Sequence, residues 1–351
     1  MAVEVPSPPL RAEATPEPAP DPAPPIILID PSELMAREEQ PPTAPGPIRL
    51  LVAIEPGGSD TEAINFAVWL SRTAPVKVRA VGTFQRPWPI SGLSKMAGRY
   101  EEWLQRQSAK YAKQVAKTFR NAGLEEEFWD DQISTFVDGP SEATLLCEAA
   151  DDFNADLIIL ASTPAAPKGR FTPGTSADAL LHSSPHHLGL VPRAAKLSKR
   201  GVTRLNFALL ESDHQRDHDA LMFTADLAAQ WEVPLRVLAF SPMGLTDAND
   251  ALRLDLHRDV NDEWHEYALS MLDRVRDSVL HRHESLDLDT GIAAGGGWSG
   301  AHGAVKWKKG DLLMLGSQPV GAFSRVFVGS TEAEFIRHAR VPVVVSAPKA
   351  G

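Results

Sequence analysis

The chain has 351 residues, 43% of them hydrophobic, and a formal net charge of −11 with a pI near 5.5. This length is typical of about two domains of ~100–200 residues each. The acidic balance argues against nucleic acid or an anionic membrane as a partner, because both favour basic surfaces. Cys147 is the only cysteine, which excludes a disulfide framework and indicates a reducing, cytoplasmic location. Since no apolar run approaches the ~18 residues of a membrane helix, no membrane insertion is expected.

Residues 1–47 differ in composition from the rest of the chain, because they hold 14 of its 29 prolines. Such a segment has little apolar surface to bury and is predicted to be extended and largely disordered. One apolar island interrupts it, formed by Ile26, Ile27, Leu28 and Ile29. Two alternatives stand for this island. It packs on its own domain, or it docks on an unidentified protein partner by adding a strand or filling a groove.

From residue 48 the sequence alternates short apolar runs with amphipathic segments. The first half is predicted to form strands at 49–55, 76–81, 133–137, 156–160 and 187–191, with helices at 60–73, 93–121, 141–153 and 175–182. The second half is predicted to form strands at 204–211, 235–240, 286–293, 312–315 and 341–345, with helices at 215–231, 254–282, 300–307 and 332–340. Helices between buried strands favour an α/β fold with doubly wound parallel sheets.

The two halves are an internal repeat. The run Asp156–Ser162, DLIILAS, matches Asp311–Ser317, DLLMLGS, 155 residues later, and Gly174-Thr175 matches Gly329-Ser330 at the same spacing. Glu55 is matched with Glu211 at a spacing of 156. The repeat predicts two domains, 48–193 and 203–347, joined by a basic, exposed linker at 194–202 and followed by a short tail at 348–351.

The second copy carries the most informative stretch. A strand ends in Gly316 and Ser317, and Gly329-Ser330-Thr331 opens a helix that Ser330 or Thr331 is predicted to cap. This arrangement resembles the C-terminal signature of the universal stress protein family, Gly-x2-Gly-x9-Gly-Ser/Thr, with Pro319 at the second glycine. The resemblance implies five-stranded sheets of order 3-2-1-4-5 with helices on both faces. It also implies that the repeats pair about a pseudo-two-fold axis, with strand five of each crossing the other, and it leaves a homo-oligomer through the same edges as a further expectation.

The resemblance also implies a place for ATP or another adenine nucleotide. An acid at the end of strand one, Glu55 or Glu211, would contact the adenine or ribose, and the end of strand two, at Val81 or Phe240, would lie near the base. The phosphates would lie on the glycine loop and the following helix. In the second repeat the implied positions are Gly316, Ser317, Gly321, Gly329, Ser330 and Thr331, and in the first they are Gly174 and Thr175.

Proline stands at the second glycine position of both repeats, as Pro164 and Pro319. Proline fixes φ and has no N–H to offer a phosphate oxygen, whereas glycine reaches positive φ and lets the backbone come close. Both phosphate loops are therefore predicted to be impaired.

No nucleophile, base or metal cluster stands out. Cys147 falls on an apolar helix face and is predicted to be a buried structural thiol, and His186-His187 is predicted to lie at an interface. We expect a non-enzymatic stress-response regulator or adaptor that requires no cofactor and uses its N-terminal tail. The alternative is a sensor of ATP, AMP or a cyclic nucleotide that binds through the second domain.

Overall fold

The computed structural model describes residues 46–58, 61–86, 97–210, 214–243, 254–317, 328 and 330–347, without the side chains of 97, 214–216 and 254–262. The predictions for the tail 1–45, with its island at Ile26–Ile29, and for Glu211, Gly321 and Gly329 lie outside these residues. From Gly46 onward the chain forms one compact unit. Within the described ranges, no helix is both long and apolar enough to cross a membrane.

Repeat 1 contains five strands and four helices in the described ranges. In chain order they are β1 (Ile48–Ala53), α1 (Glu62–Ser71), β2 (Val76–Gln85), α2 (Ala97–Ala122), β3 (Trp129–Gly139), α3 (Glu142–Phe153), β4 (Leu157–Ala161), α4 (Thr175–Leu181) and β5 (His187–Val191). Local chemistry sets several of these limits. Gly123 ends α2 at φ +77°, and Ser141 caps α3 by accepting a hydrogen bond from the Thr144 N–H at 3.4 Å.

Repeat 2 has the same order of elements. They are β6 (Arg204–Leu209), α5 (His214–Gln230), β7 (Leu235–Ser241), α6 (Leu254–Arg282), β8 (Leu288–Ala294), α7 (Gly297–Ala304), β9 (Asp311–Gly316), α8 (Ser330–His338) and β10 (Val343–Ser346). The sequence placed every one of these elements, with ends displaced by a few residues.

All ten strands belong to a single sheet of order β3-β2-β1-β4-β5-β10-β9-β6-β7-β8. The five strands of each repeat are parallel and follow the predicted order 3-2-1-4-5, which confirms the fold class. The sheets are not separate, however, because β5 and β10 pair side by side in an antiparallel ladder and do not cross. The β-branched edge at Val341–Val345 is thereby covered, which removes an exposed strand edge.

This ladder has local two-fold symmetry. Gly189 pairs with Val344, and these two residues are themselves counterparts, 155 positions apart. A contact in which a surface meets its own equivalent is the geometry of a symmetric dimer, here made within one chain. Both edges of β5 and of β10 are paired inside the chain. A homo-oligomer would therefore have to use other surfaces.

Helices cover both faces of the sheet. One hydrophobic cluster lies between the sheet and α1, α2, α5 and α6, and the other lies between the sheet and α3, α4, α7 and α8. Near the centre, the His187 ring stacks on Phe223 of α5, with ring centroids 5.1 Å apart. The interface predicted for His186 and His187 is therefore confirmed for His187, whereas His186 Nε2 lies 3.0 Å from Asp151 of its own repeat.

Three local predictions need correction. Helix α8 already includes Ser330 and Thr331, so neither residue is its cap. The linker is only partly exposed, because Gly201 and Val202 are buried and the Val202 N–H donates to Thr73 Oγ1 at 2.8 Å. Cys147 is half-buried rather than fully buried, at the border of the second cluster.

Candidate functional site

The loop between β4 and α4 is the counterpart of the family's phosphate loop, and its own backbone holds it in place. Five of its amide groups donate hydrogen bonds within the protein, at distances of 2.6–3.1 Å: Thr163, Ala166, Gly169, Arg170 and Thr172. The side chains of Ala166 and Phe171 are buried, at 2% and 0% exposure. A phosphate oxygen would have to compete with these bonds for its donors.

Two residues outside the turn pin this loop further. Ser162 Oγ accepts the Thr172 N–H at 2.8 Å. Arg193 donates its guanidinium to the Ala166 carbonyl at 2.8 Å, and its own carbonyl accepts the Gly169 N–H. The loop is consequently a packed part of the domain.

Gly174 precedes α4 in ordinary extended backbone, with φ −80° and ψ 175°. A Cβ at this position would meet the nearest atom, Thr163 Cγ2, at 3.5 Å, which is normal contact. Neither backbone conformation nor space therefore requires glycine here. Thr175 is the first residue of α4, a helix of only 7 residues.

A carboxylate of the protein lies beside the start of α4. Glu142, the first residue of α3, accepts a hydrogen bond from Thr83 Oγ1 at 2.9 Å. Its other oxygen accepts one from the hydroxyl of Ser176, the second residue of α4. An acidic group is favourable at such a place because the helix N-terminus carries partial positive charge. In repeat 1 the Glu142 carboxylate is therefore the anion beside the N-terminus of α4.

Helix α2 closes the turn that follows β1. Gln114 accepts the Gly57 N–H at 2.9 Å and donates to the carbonyl oxygens of Glu55 and Gly58, at 3.3 and 3.4 Å. The Glu55 side chain is exposed. These bonds fix the backbone around the residue that the family resemblance assigns to the base or ribose.

Tyr111 fills the space beneath this turn. Its ring is 2% exposed, its hydroxyl donates to the Ile54 carbonyl at 3.0 Å, and burial raises its pKa well above the ordinary value. A Cβ on Gly82 would lie only 2.7 Å from the ring. Glycine at position 82 is therefore required by the tyrosine.

In repeat 2, Phe240 is a core residue. Its ring is 2% exposed and packs edge-on against Phe335 of α8, with centroids 4.8 Å apart, and against His302 of α7 at 5.4 Å. The aromatic side chain therefore points into the helix layer of the second cluster and not toward a surface that a base could reach.

The end of β9 packs against α5. A Cβ on Gly316 would lie 2.6 Å from an Asp217 carboxylate oxygen, which can move aside, and 3.4 Å from Ala220 Cβ, which is ordinary contact. Ser317 is buried and donates to the Ser346 carbonyl at 2.6 Å. Ser317 thus has a structural role. Ser330 is exposed and Thr331 half-buried in the first turn of α8.

Strand pairing revises the match between the two acids. Leu50 pairs with Leu157 and Leu205 with Leu312, so β1 and β6 correspond at a spacing of 155. At this spacing the counterpart of Glu55 is Leu210, and Glu211 follows one residue later.

His302 is a buried polar residue of the core that the sequence did not reveal. Nε2 bonds the Phe335 carbonyl oxygen at 3.1 Å, and Nδ1 has no partner in the described part of the chain. Burial lowers the pKa of this imidazole from 6.5 to about 3, with the positive charges of His338, Arg170 and Arg340 acting in the same direction.

Sequence reasoning also missed Glu142 and Tyr111. Glu142 gave one usable signal, because Ser141-Glu142 opens an amphipathic helix. Its partner Ser176, however, is 34 residues away. Tyr111 is one of four aromatic residues on a polar helix, and only the β2–α2 packing distinguishes it from the others.

Comparison with known proteins identifies this architecture. The model of the universal stress protein family matches residues 48–192 and 209–346. A universal stress protein of Mycobacterium tuberculosis is 27% identical over 298 residues, which cover 84% of this chain and 98% of the relative. A universal stress protein of Mycobacterium bovis matches with the same values.

A solved structure agrees on the fold. The crystal structure of a universal stress protein from Archaeoglobus fulgidus aligns with a TM-score of 0.55 at 15% identity, covering 86% of this chain and 98% of that one. This likeness concerns the fold alone. With two family domains in tandem, the chain belongs to the universal stress protein family.

Proposed function

We propose that this protein is a non-enzymatic regulator or adaptor in a stress response and that repeat 1 does not bind nucleotide. The observation that carries the proposal is the Glu142 carboxylate, hydrogen-bonded to Ser176 at the start of α4. The N-terminal island Ile26–Ile29 is proposed as the partner-binding segment, and the cytoplasmic location is a further part of the proposal.

Electrostatics and hydrogen bonding both support the first part. Two unit charges of the same sign about 4 Å apart repel by ~4 kcal/mol at an effective dielectric constant of 20, so a phosphate beside Glu142 would be strongly disfavoured. Loop amides that already donate to protein acceptors offer no compensation, and Pro164 has no N–H at all.

A thermal-shift titration with ATP, AMP and cyclic AMP, with and without magnesium, tests the nucleotide part. Gly174→Val and Gly329→Val serve as matched variants of the two loops. If a nucleotide stabilises the wild-type protein, we expect it to stabilise the Gly174→Val variant to the same extent. Nucleotide binding that is lost in Gly174→Val and kept in Gly329→Val would contradict the proposal for repeat 1. A Glu142→Gly variant that gains binding would identify the carboxylate as the barrier.

The adaptor part has its own test. Protein lacking residues 1–47 is compared with the full chain in crosslinking and affinity capture from the native host. We expect partners to be lost with the segment, and a four-residue Ile26–Ile29 to alanine variant should lose the same partners. If every partner persists without residues 1–47, the adaptor role of the segment is wrong.

A second candidate is a sensor of adenine nucleotides that binds through repeat 2. It is favoured by one difference between the repeats: α3 begins with Glu142, whereas the first turn of α7 carries no acidic residue. Ser330 also lies exposed at the start of α8, a helix of 9 residues.

The same titration decides this second candidate. A ligand at 100 times its Kd should add ~2.7 kcal/mol of stability, and the stabilisation should disappear in Gly329→Val. Unchanged nucleotide affinity in that variant would rule out the loop of repeat 2 as the site.

A further inference from the structure

Three basic residues converge where the two repeats meet. Arg170, in the loop after β4 of repeat 1, donates a hydrogen bond from its guanidinium to the carbonyl of His338, the last residue of α8 in repeat 2. Arg340 follows two residues later, and its Nη2 atom lies 3.9 Å from the position of a Cβ on Gly303, in the last turn of α7. We call Arg170, His338 and Arg340 the junction cluster, because its members come from both repeats.

No acidic side chain neutralises the junction cluster within the part of the chain that the structure describes. Neither guanidinium forms an ion pair there, and the contact of Arg170 with His338 is the one hydrogen bond that either guanidinium makes. Burial lowers the pKa of Arg170 from its ordinary value, and the charge of Arg340 acts in the same direction. Burial also lowers the pKa of the His302 imidazole, the charges of all three cluster members add to this effect, and no carboxylate opposes them. The cluster is therefore a positive patch in a chain with a formal net charge of −11.

The ends of two helices offset this charge only in part. The junction cluster lies at the carbonyl ends of α7 and α8, and each such end carries about half a negative elementary charge. Two guanidiniums beside two helix ends therefore leave about one positive charge, before any contribution from a protonated His338. Because like charges held close together repel, an anion that contacts both guanidiniums is favoured at this place.

The backbone anchors both arginines. The Arg170 carbonyl accepts the Arg193 N–H at 3.0 Å. Arg340 stands between Ala339 and Val341, which are buried at 0% and 6% exposure, whereas its own side chain is exposed. Binding therefore has to order only the side chains, which keeps the entropic cost of forming the complex low.

We propose that the junction cluster binds the phosphoryl group of a small molecule, either free phosphate or a phosphate monoester. A guanidinium presents its N–H donors in a planar fork that matches the oxygens of a phosphoryl group. Two forks that face one space require more acceptor oxygens than the two of a single carboxylate, which favours the phosphoryl group. The bound anion contacts one arginine of each repeat and thereby holds the two repeats together.

This site differs from the positions that the family resemblance implies for nucleotide phosphates. Those positions lie at the starts of α4 and α8, whereas the junction cluster lies at the end of α8. We expect one site per chain, because the counterparts of His338 and Arg340 at a spacing of 155 are the uncharged Ser183 and Pro185. The proposal goes beyond the regulator or sensor roles and does not rest on either.

Titration with inorganic phosphate at constant ionic strength, followed by calorimetry and by phosphorus NMR, tests the inference. We expect saturable binding of one phosphate per chain with a Kd on the order of 1 mM. Arg340→Gln should weaken binding at least about tenfold, because a charged hydrogen-bond donor is lost. Arg337→Gln is the matched control, since it removes the same charge from an exposed residue of α8, and should leave the Kd within about twofold. Equal weakening by the two variants, or no saturable binding, would overturn the proposal.

Further variants separate this site from the glycine loops. Arg170→Gln should weaken phosphate binding about as much as Arg340→Gln, and either variant suffices if the other does not fold. Gly174→Val and Gly329→Val should keep phosphate binding. Binding that is lost in one of these valine variants and kept in Arg340→Gln would place the phosphate on a glycine loop and contradict the proposal.

The source of the phosphoryl group is decided by comparing glycerol phosphate with inorganic phosphate in the same titration. Tighter binding of the ester assigns the junction cluster to phosphate monoesters, and tighter binding of inorganic phosphate assigns it to the free ion. In either case the tighter ligand should lose affinity in Arg340→Gln and keep it in Arg337→Gln. A ligand whose affinity is the same in both variants does not bind at the cluster, and this result would refute the assignment.

Discussion

The two repeats have the same topology and differ in what fills the carboxyl ends of their strands. Repeat 1 uses its own side chains, with Tyr111 under the first turn and Glu142 beside the last helix. In repeat 2, Met271 lies near Leu209 at the end of the first strand, beside a cavity of about 120 Å³, and the first turn of α7 carries no acidic residue. The side chains of repeat 1 thus fill these two places, whereas those of repeat 2 leave space there. The difference shows that a shared fold does not carry a shared site, because sites depend on a few side chains on that fold.

A second difference lies at the amino ends of the strands. Repeat 1 spreads its charges, because Arg79 binds Asp130 through two nitrogens while Asp156 is exposed and accepts the Arg49 N–H. Repeat 2 concentrates them on Asp311, which is 0% exposed. Arg204 binds Asp311 through two hydrogen bonds of 2.8–2.9 Å, and Arg236 approaches it to 3.8 Å.

The largest expected effect comes from breaking this second difference. Asp311→Ala leaves Arg204 and Arg236 without their carboxylate, and removing one partner of a buried ion pair costs about 3–5 kcal/mol. The counterpart Asp156→Ala removes one exposed acceptor and should cost about 1 kcal/mol. Denaturant unfolding of both variants measures the comparison. Equal losses of unfolding free energy would show that Asp156 and Asp311 contribute equally to stability.

Tyr111→Ala should be the next most damaging change, with a loss of about 3–5 kcal/mol, because a large buried ring is removed. Met271→Ala is expected near the lower limit for such truncations, about 2 kcal/mol, since its surroundings are already open. Tyr111→Phe, which removes only the hydrogen bond to Ile54, should cost about 1 kcal/mol. Urea unfolding measures the loss of unfolding free energy in each variant. A larger loss for Met271→Ala than for Tyr111→Ala would contradict the conclusion that the space is better filled in repeat 1.

His302 makes the stability of repeat 2 sensitive to acid, as does the buried His187 in repeat 1, whose pKa burial also lowers. Burial lowers the pKa of His302 to about 3 from 6.5, so the unfolded state binds the proton more readily and stability falls as the pH drops through this window. Between pH 7 and pH 5 the loss should be about 2 kcal/mol. His302→Cys, which removes the titrating imidazole, should flatten the pH dependence of the urea midpoint. An unchanged slope in that variant would exclude His302 as the cause.

The smallest effect concerns the turn after β1. Gln114→Ala should cost about 1 kcal/mol and speed amide exchange at Gly57, whose N–H the side chain accepts at 2.9 Å. Arg274→Ala is the matched change in repeat 2 and should leave stability within about 0.5 kcal/mol. Hydrogen exchange followed by mass spectrometry measures both. Similar protection at this turn in wild type and Gln114→Ala would mean that the glutamine is dispensable.

Much of this fold could be predicted from the sequence, because apolar runs with regular spacing report strands and helices directly. The match of 156–162 with 311–317 predicted the repeat, and the resemblance to the universal stress protein family predicted the strand order that the sheet shows. The sequence predicted that the two repeats pair about a pseudo-two-fold axis. It did not predict that Gly189 and Val344 join the two sheets side by side. Whether two edges cross or lie side by side depends on geometry that no local pattern contains.

The candidate site could be predicted less well, because it also depends on contacts between residues that are distant in sequence. Pro164 and Pro319 signalled impaired loops, since one residue type suffices for that inference. Glu142 with Ser176, and Tyr111 with Gly82, are pairs formed by residues 34 and 29 positions apart, and each partner is unremarkable alone. The match of Glu55 with Glu211 illustrates the limit, because a spacing wrong by one residue exchanges an acid for Leu210.

The antiparallel ladder between β5 and β10 has a consequence for communication between the repeats. The strands of each half run parallel to their own fifth strand, so the two halves point in opposite directions. The loop after β4 and the loop after β9 therefore emerge at opposite margins of one continuous ten-stranded sheet. A change at one margin can reach the other through the β5–β10 ladder or through contacts beside it, such as the hydrogen bonds from the Arg170 guanidinium to the His338 carbonyl and from the Val328 N–H to the Leu181 carbonyl.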